Sequence, residues 1–88
     1  MANIKSQEKR ILRSERERRE NRRRTSTIKT HFRRLQAAVE GGDAEAIDTE
    51  HRKLVSLIDK AAEHDAIHRN NAARKKSRAA RIRASAAS

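Results

Sequence analysis

Large apolar side chains recur at helical intervals in only two short stretches of this 88-residue chain. Ile28, Phe32, Leu35 and Val39 follow the +4, +3, +4 rhythm of one helical face. Ile47, His51, Leu54, Ile58 and Ala61 repeat it, with Leu57 alongside. Proline is absent, and the two glycines stand together at Gly41 and Gly42, so nothing else interrupts the backbone. The pattern predicts three helices, at about 5–40, 44–63 and 69–85. The first is then roughly 50 Å long at 1.5 Å per residue. Gly41 is expected to take the left-handed position that ends it, and Asp43 to cap the second helix, with Glu45 at its positive end. The connection from His64 to Ile67 leads to the third helix, started by Asn70 or Asn71. That helix offers only Ala72, Ala79, Ile82 and Ala86 as an apolar face. Short connections make neighbouring helices antiparallel, and the expected fold is all-α: one domain over residues 1–88, a three-helix bundle.

Continued backwards, the first stripe meets Arg24, Asn21, Glu17, Ser14 and Arg10, all polar. From Arg13 to Thr27 no side chain is apolar. The N-terminal half of the first helix therefore has no protein to pack on. It must project from the bundle.

Composition sharpens this picture. Hydrophobic residues make up 34% of the chain, but half of them are alanine. Leu, Ile, Val and Phe together fall below the roughly 20% level that, with high net charge, accompanies disorder. The free protein is thus expected to be marginal, its ordering completed by a partner. A pocket that excludes water is hard to build from so few large side chains. No phosphate loop or nucleophile motif appears, Tyr and Cys are absent, and the chain is read as no enzyme, with no cofactor and no small-molecule substrate. Without cysteine there is no disulfide framework and no thiolate metal site. His64 and His68 are four apart but straddle a loop, so no metal site is expected. His51 is expected to snorkel at the bundle edge, and His68 to meet RNA or cap a helix. No apolar run reaches membrane length and the N-terminus has no signal-like apolar core, which implies a soluble intracellular protein.

Charge carries the functional argument. The net charge of +11 is sorted into blocks: +9 over residues 1–34, −5 over 35–68 and +7 over 69–88. Two basic arms flank a mildly acidic middle, the electrostatic footprint of a protein that grips a polyanion from both ends. Lys5, Lys9, Arg13, Arg16, Arg23 and Arg34 fall within about 80° on a helical wheel. Arg18, Arg19, Arg22 and Arg24 point elsewhere, so the arm is cationic nearly all round. Glu15–Arg19 and Glu20–Arg24 have the spacing of intrahelical ion pairs but cover few of these arginines. The second arm, Arg69 to Arg78, looks like the basic region of a leucine-zipper transcription factor. Three residues instead of two separate Ala73 from Ser77, however, and no heptads follow. A basic helix meeting phosphates is the better reading, with Asn70, Asn71 and Ser77 adding hydrogen bonds. Phe32, the only aromatic residue, sits on the core stripe, so there is no stacking platform for unpaired bases. Folded or duplex backbone is the expected target. A cationic membrane-surface helix is disfavoured because the arm has no Trp or Leu face to bury in lipid.

The opening Met-Ala-Asn-Ile-Lys-Ser-Gln-Glu-Lys-Arg, then Asn21-Arg22 and Ser26-Thr27-Ile28-Lys29-Thr30, resemble the bacterial small-subunit ribosomal protein S20 family. So do the Gly42-Asp43 turn and the run from Ile67 to Arg78. The resemblance spans essentially the whole chain and implies a three-helix bundle, cytoplasmic in the small ribosomal subunit. It also implies direct, early binding of small-subunit ribosomal RNA, holding the 5′ domain and the long stem near the 3′ end together. Position by position, it assigns RNA contacts to Asn3, Lys5, Ser6, Lys9, Arg10, Asn21, Ser26 and Lys29, and to His68, Asn70, Lys75, Lys76, Ser77 and Arg78. The charge pattern adds Arg13, Arg16, Arg23, Arg69, Arg74 and Arg81. Asp65 departs from the family, which usually has Gly before the Ile-His pair, so a differently built turn is expected there. The stretch 15–24 is unusually rich in Arg and Glu. The expected function is a structural ribosomal RNA-binding protein without homo-oligomers. A histone-like protein compacting duplex DNA is the alternative. Charge reversal at Lys75, Lys76 and Arg78 is expected to weaken RNA binding and leave helicity unchanged.

Overall fold

The computed structural model describes residues 3–86, with side chains from residue 9 onward. Three helices follow one another: α1 (Asn3–Gly41), α2 (Ala44–Glu63) and α3 (Arg69–Ser85). Each packs on both others. The molecule is elongated, 66 × 21 × 13 Å, because α1 alone is 39 residues long.

The turn between α1 and α2 corrects one expectation. Gly41 completes α1, and Gly42 takes the left-handed conformation, with φ +73°. Its N–H donates to the carbonyls of Ala38 and Val39, at 3.1 and 3.2 Å, closing the helix end. Asp43 is extended, and its Oδ1 accepts from the Glu45 N–H at 3.1 Å. The cap works as the residue type predicts.

The far end of α2 is a second left-handed turn, built without glycine. Asp65 has φ +57°. The Ala66 N–H donates to Ala61 O at 2.8 Å and the Asp65 N–H to Ala62 O at 3.1 Å, the paired bonds of a Schellman ending. Asp is among the few residues that tolerate this conformation. α3 starts at Arg69 as expected, with His68 in the capping role expected of it and neither Asn70 nor Asn71 as its start. Its cap is His68, whose Nδ1 accepts from the Asn70 N–H at 3.1 Å; Asn70 and Asn71 lie inside the helix. Capping by an imidazole leaves both asparagine side chains exposed.

The core holds Ile28, Phe32 and Leu35 from α1, Ile47, Leu54, Ile58 and Ala61 from α2, and Ala72 and Ala79 from α3. Ile67, in the connection, joins them. Ala86 does not: it is exposed, and the α3 seam ends with half-buried Ile82. Every residue from Lys9 to Glu20 is exposed, including the apolar Ile11 and Leu12. With nothing apolar to receive it, this part of α1 runs past the bundle.

Candidate nucleic-acid interface

The sequence-derived candidates fall into three groups. Asn3, Lys5 and Ser6 belong to the first turns of α1, but their side chains lie outside the described residues. Lys9, Arg10, Arg13 and Arg16 occupy the exposed arm, where Arg13 Nε lies 3.5 Å from Glu17 Oε1. Among the described residues this pair, with Arg24–Glu20 at 4.0 Å, forms the arm's ion pairs, and Glu15–Arg19 is not one of them. Exposed i,i+4 pairs are worth a few tenths of a kcal/mol. Arg13 and the arm's other exposed arginines therefore remain available to a partner, whereas Arg24 is half-buried and held on its own helix.

Further along α1, Arg23, Ser26 and Lys29 are exposed. Thr27 and Thr30 turn their hydroxyls inward onto the carbonyls of Arg23 and Ser26, at 2.7 and 3.1 Å. Asn21 is half-buried and accepts from Arg24 Nη1 at 3.2 Å, beside His64 and Asp65 of the connection. The sequence placed Asn21 at an RNA contact; the structure gives its Oδ1 a partner on its own helix.

On α3 the cations fall into two groups, with half-buried Lys75 in neither. Asn70, Arg74, Ser77 and Arg81, spaced +4, +3, +4, form one exposed stripe opposite the alanine seam. Arg69 is exposed as well. Lys76, by contrast, is half-buried, its Nζ 2.9 Å from Asp59 Oδ1 of α2. Arg78 lies over the Phe32 ring. Arg83, which sequence reasoning left out, is paired with Asp48. The acidic middle block thus does more than dilute charge: two of its aspartates hold α3. The signal for this lay in antiparallel geometry, which brings residues near 48 to those near 83, and 59 to 76.

Two histidines belong to the scaffold. His31 Nδ1 of α1 faces Glu50 Oε2 of α2 at 3.7 Å, both atoms buried and without a hydrogen-bond partner. His51 is half-buried and close enough to Arg83 and Asp48 to feel both charges. Burial holds its pKa below the usual imidazole range, the Arg83 charge lowers it further, and Asp48 opposes both. For His68, acceptance at Nδ1 leaves the proton of the neutral ring on Nε2, a donor free to meet an acceptor. Among the described residues no group of three or more His, Asp or Glu side chains is arranged to hold a metal ion, and no helix is long and apolar enough to cross a membrane.

Fold and site together define a small, basic, all-helical protein that displays unpaired cations on a projecting helix and on the outer face of another. Within that class, residues 2–83 match the family model for ribosomal protein S20. The small ribosomal subunit protein bS20 of Corynebacterium jeikeium is 48% identical over 77 residues, 88% of each chain. That of Pseudoalteromonas translucida is 44% identical over 85 residues, 96% of this chain and 99% of its own. That of Francisella tularensis subsp. novicida is also 44% identical over 85 residues, 96% of this chain and 94% of its own. The chain belongs to the ribosomal protein S20 family.

Proposed function

We propose that this protein is a structural, non-catalytic component of the small ribosomal subunit, cytoplasmic with it, that binds the subunit's ribosomal RNA directly. Its α1 arm and the outward stripe of α3 each grip a separate RNA element through phosphates. By family resemblance these elements are the 5′ domain and the long stem near the 3′ end, and joining them aids assembly. The observation that carries the reading is the division of cations. Apart from Arg13 and Arg24, the described cations of the arm and of the Arg74–Arg81 stripe carry no ion pair, while the acids of α2 take up Lys76 and Arg83 on the inner side. A polyanion is thereby offered two separate docking faces.

The test is binding of the full chain to the folded 5′ domain of small-subunit ribosomal RNA at physiological salt, with excess duplex DNA as competitor. Binding should survive the competitor. If six to ten phosphates are neutralised, affinity should fall by about 10³–10⁵ between 50 and 200 mM salt. A flat salt response sinks the phosphate mechanism. Loss of binding to the competitor moves the DNA-compacting alternative to the front.

A further inference from the structure

α3 has little with which to fix its own rotation. Its buried side chains are Ala72 and Ala79, with Ile82 partly covered. Alanines permit close approach but form no ridge to lock into a neighbour's groove. Polar contacts flank that seam on both sides. Towards α2, Lys76 meets Asp59 and Arg83 meets Asp48. Towards α1, Arg78 covers Phe32. On the helical wheel Lys76 and Arg83 stand about 20° apart, and about 140° from the centre of the outward stripe. Rotation of α3 about its axis must stretch both ion pairs in the same sense. At a helix radius of about 5–6 Å, a roll of about 30° carries an outward guanidinium roughly 3 Å, the length of a hydrogen bond.

We propose that Asp48 and Asp59 are positioning residues for RNA recognition, setting the roll of α3 so that Asn70, Arg74, Ser77 and Arg81 meet one RNA element in register. The inference rests on the RNA-binding reading above. Both carboxylates repel phosphate, so bare electrostatics assigns them the opposite effect: neutralising them raises the net charge and strengthens attraction to any polyanion. The two accounts differ in sign. The side chains of both pairs are about half exposed, and such pairs contribute little to stability, which keeps their removal from unfolding the bundle.

The experiment uses the full chain carrying Asp48→Asn and Asp59→Asn, with folded small-subunit ribosomal RNA and a generic RNA duplex as probes. Binding to the ribosomal RNA should weaken about three- to tenfold. Binding to the duplex should hold or tighten, with a salt slope steeper by about one to three as Lys76, Arg83 and Arg52, whose Nη2 lies 3.9 Å from Asp48 Oδ2, are released. Far-UV circular dichroism should not change, and Asp48→Glu with Asp59→Glu should recover ribosomal RNA binding. Asp59→Asn alone, which keeps the Asp48 pair, should show the same split to a smaller degree and serves if the double variant loses helix. Tighter binding to both probes overturns the proposal and leaves the aspartates as neutralisers of surplus charge. Equal loss on both probes overturns it too, in favour of a general structural role. An unsubstituted chain that does not distinguish the probes removes the ribosomal RNA reading itself, and the proposal with it, before any variant is compared.

Discussion

The guanidinium carbon of Arg78 lies 4.9 Å from the centroid of the Phe32 ring, joining the basic α3 to the core stripe of α1. Phe32 is the only aromatic side chain in the protein, and it is spent on this contact and the core. Arg78 is therefore part of the bundle, as is Lys76 through Asp59. Charge reversal at Lys75, Lys76 and Arg78 together, expected from sequence to spare the fold, strikes two scaffold contacts.

Separate substitutions should resolve the two roles. Arg78→Ala should cost about 1 kcal/mol through the lost cation–π contact and side-chain packing, lowering Tm by about 4–8 °C in a domain of this size. Arg74→Ala, on the outward stripe, should leave Tm in place and reduce the salt slope of RNA binding by about one. Thermal melts and salt titrations of both variants check this. Equal Tm losses would remove the division between free and committed cations.

His51 makes stability pH-dependent. Its pKa is lowered in the folded state, so the unfolded chain binds the proton more readily. The contribution is present above the ordinary imidazole value near 6.5 and is lost as pH falls through the lowered one. Urea midpoints measured between pH 7.5 and 5 should drop more steeply in the natural chain than in His51→Gln. Parallel pH profiles for the two would refute this role.

Asp65 holds a left-handed conformation at the end of α2, where glycine pays no Cβ penalty. Asp65→Gly should raise stability by about 0.5–1 kcal/mol, relief of backbone strain outweighing the greater freedom of the unfolded chain. The converse substitution, Gly42→Ala at φ +73°, meets no neighbouring atom within 4 Å, so its cost of about 1 kcal/mol is backbone strain alone. Opposite shifts in urea midpoint are expected; a loss in Asp65→Gly would show that its side chain matters more than its backbone.

Leu54 of α2 is fully buried in a core with few large side chains. Leu54→Ala should cost about 2–5 kcal/mol, a large share of the roughly 4–13 kcal/mol expected for a chain of this length. Far-UV circular dichroism should show unfolding at much lower urea. A shift of under about 1 kcal/mol would mean that the bundle is held mainly by its helices' own propensity.

Local sequence is enough to set the helices and their limits. The lack of proline, the Gly41-Gly42 pair, the Asp43 cap and the stripes from Ile28 and Ile47 act within one or two turns, where backbone geometry decides. It also determined that Lys9 to Glu20 project, since no apolar side chain from Arg13 to Thr27 could bring that segment to the core. Errors of detail stayed local: Gly42 instead of Gly41 turns left-handed, and of the starts expected for α3 it is the His68 cap, not an asparagine, that forms. Packing between helices sorts the free cations from the committed ones. Lys75, Lys76, Arg78 and Arg81 read alike along the chain, yet Lys76 faces Asp59, Arg78 covers Phe32 and Arg81 looks outward. It also buried Ile67 and set His31 against Glu50. Contacts of that kind depend on how far each helix is rotated about its axis. That rotation is fixed by the sum of packing and ion pairs across helices, which no window of neighbouring residues contains.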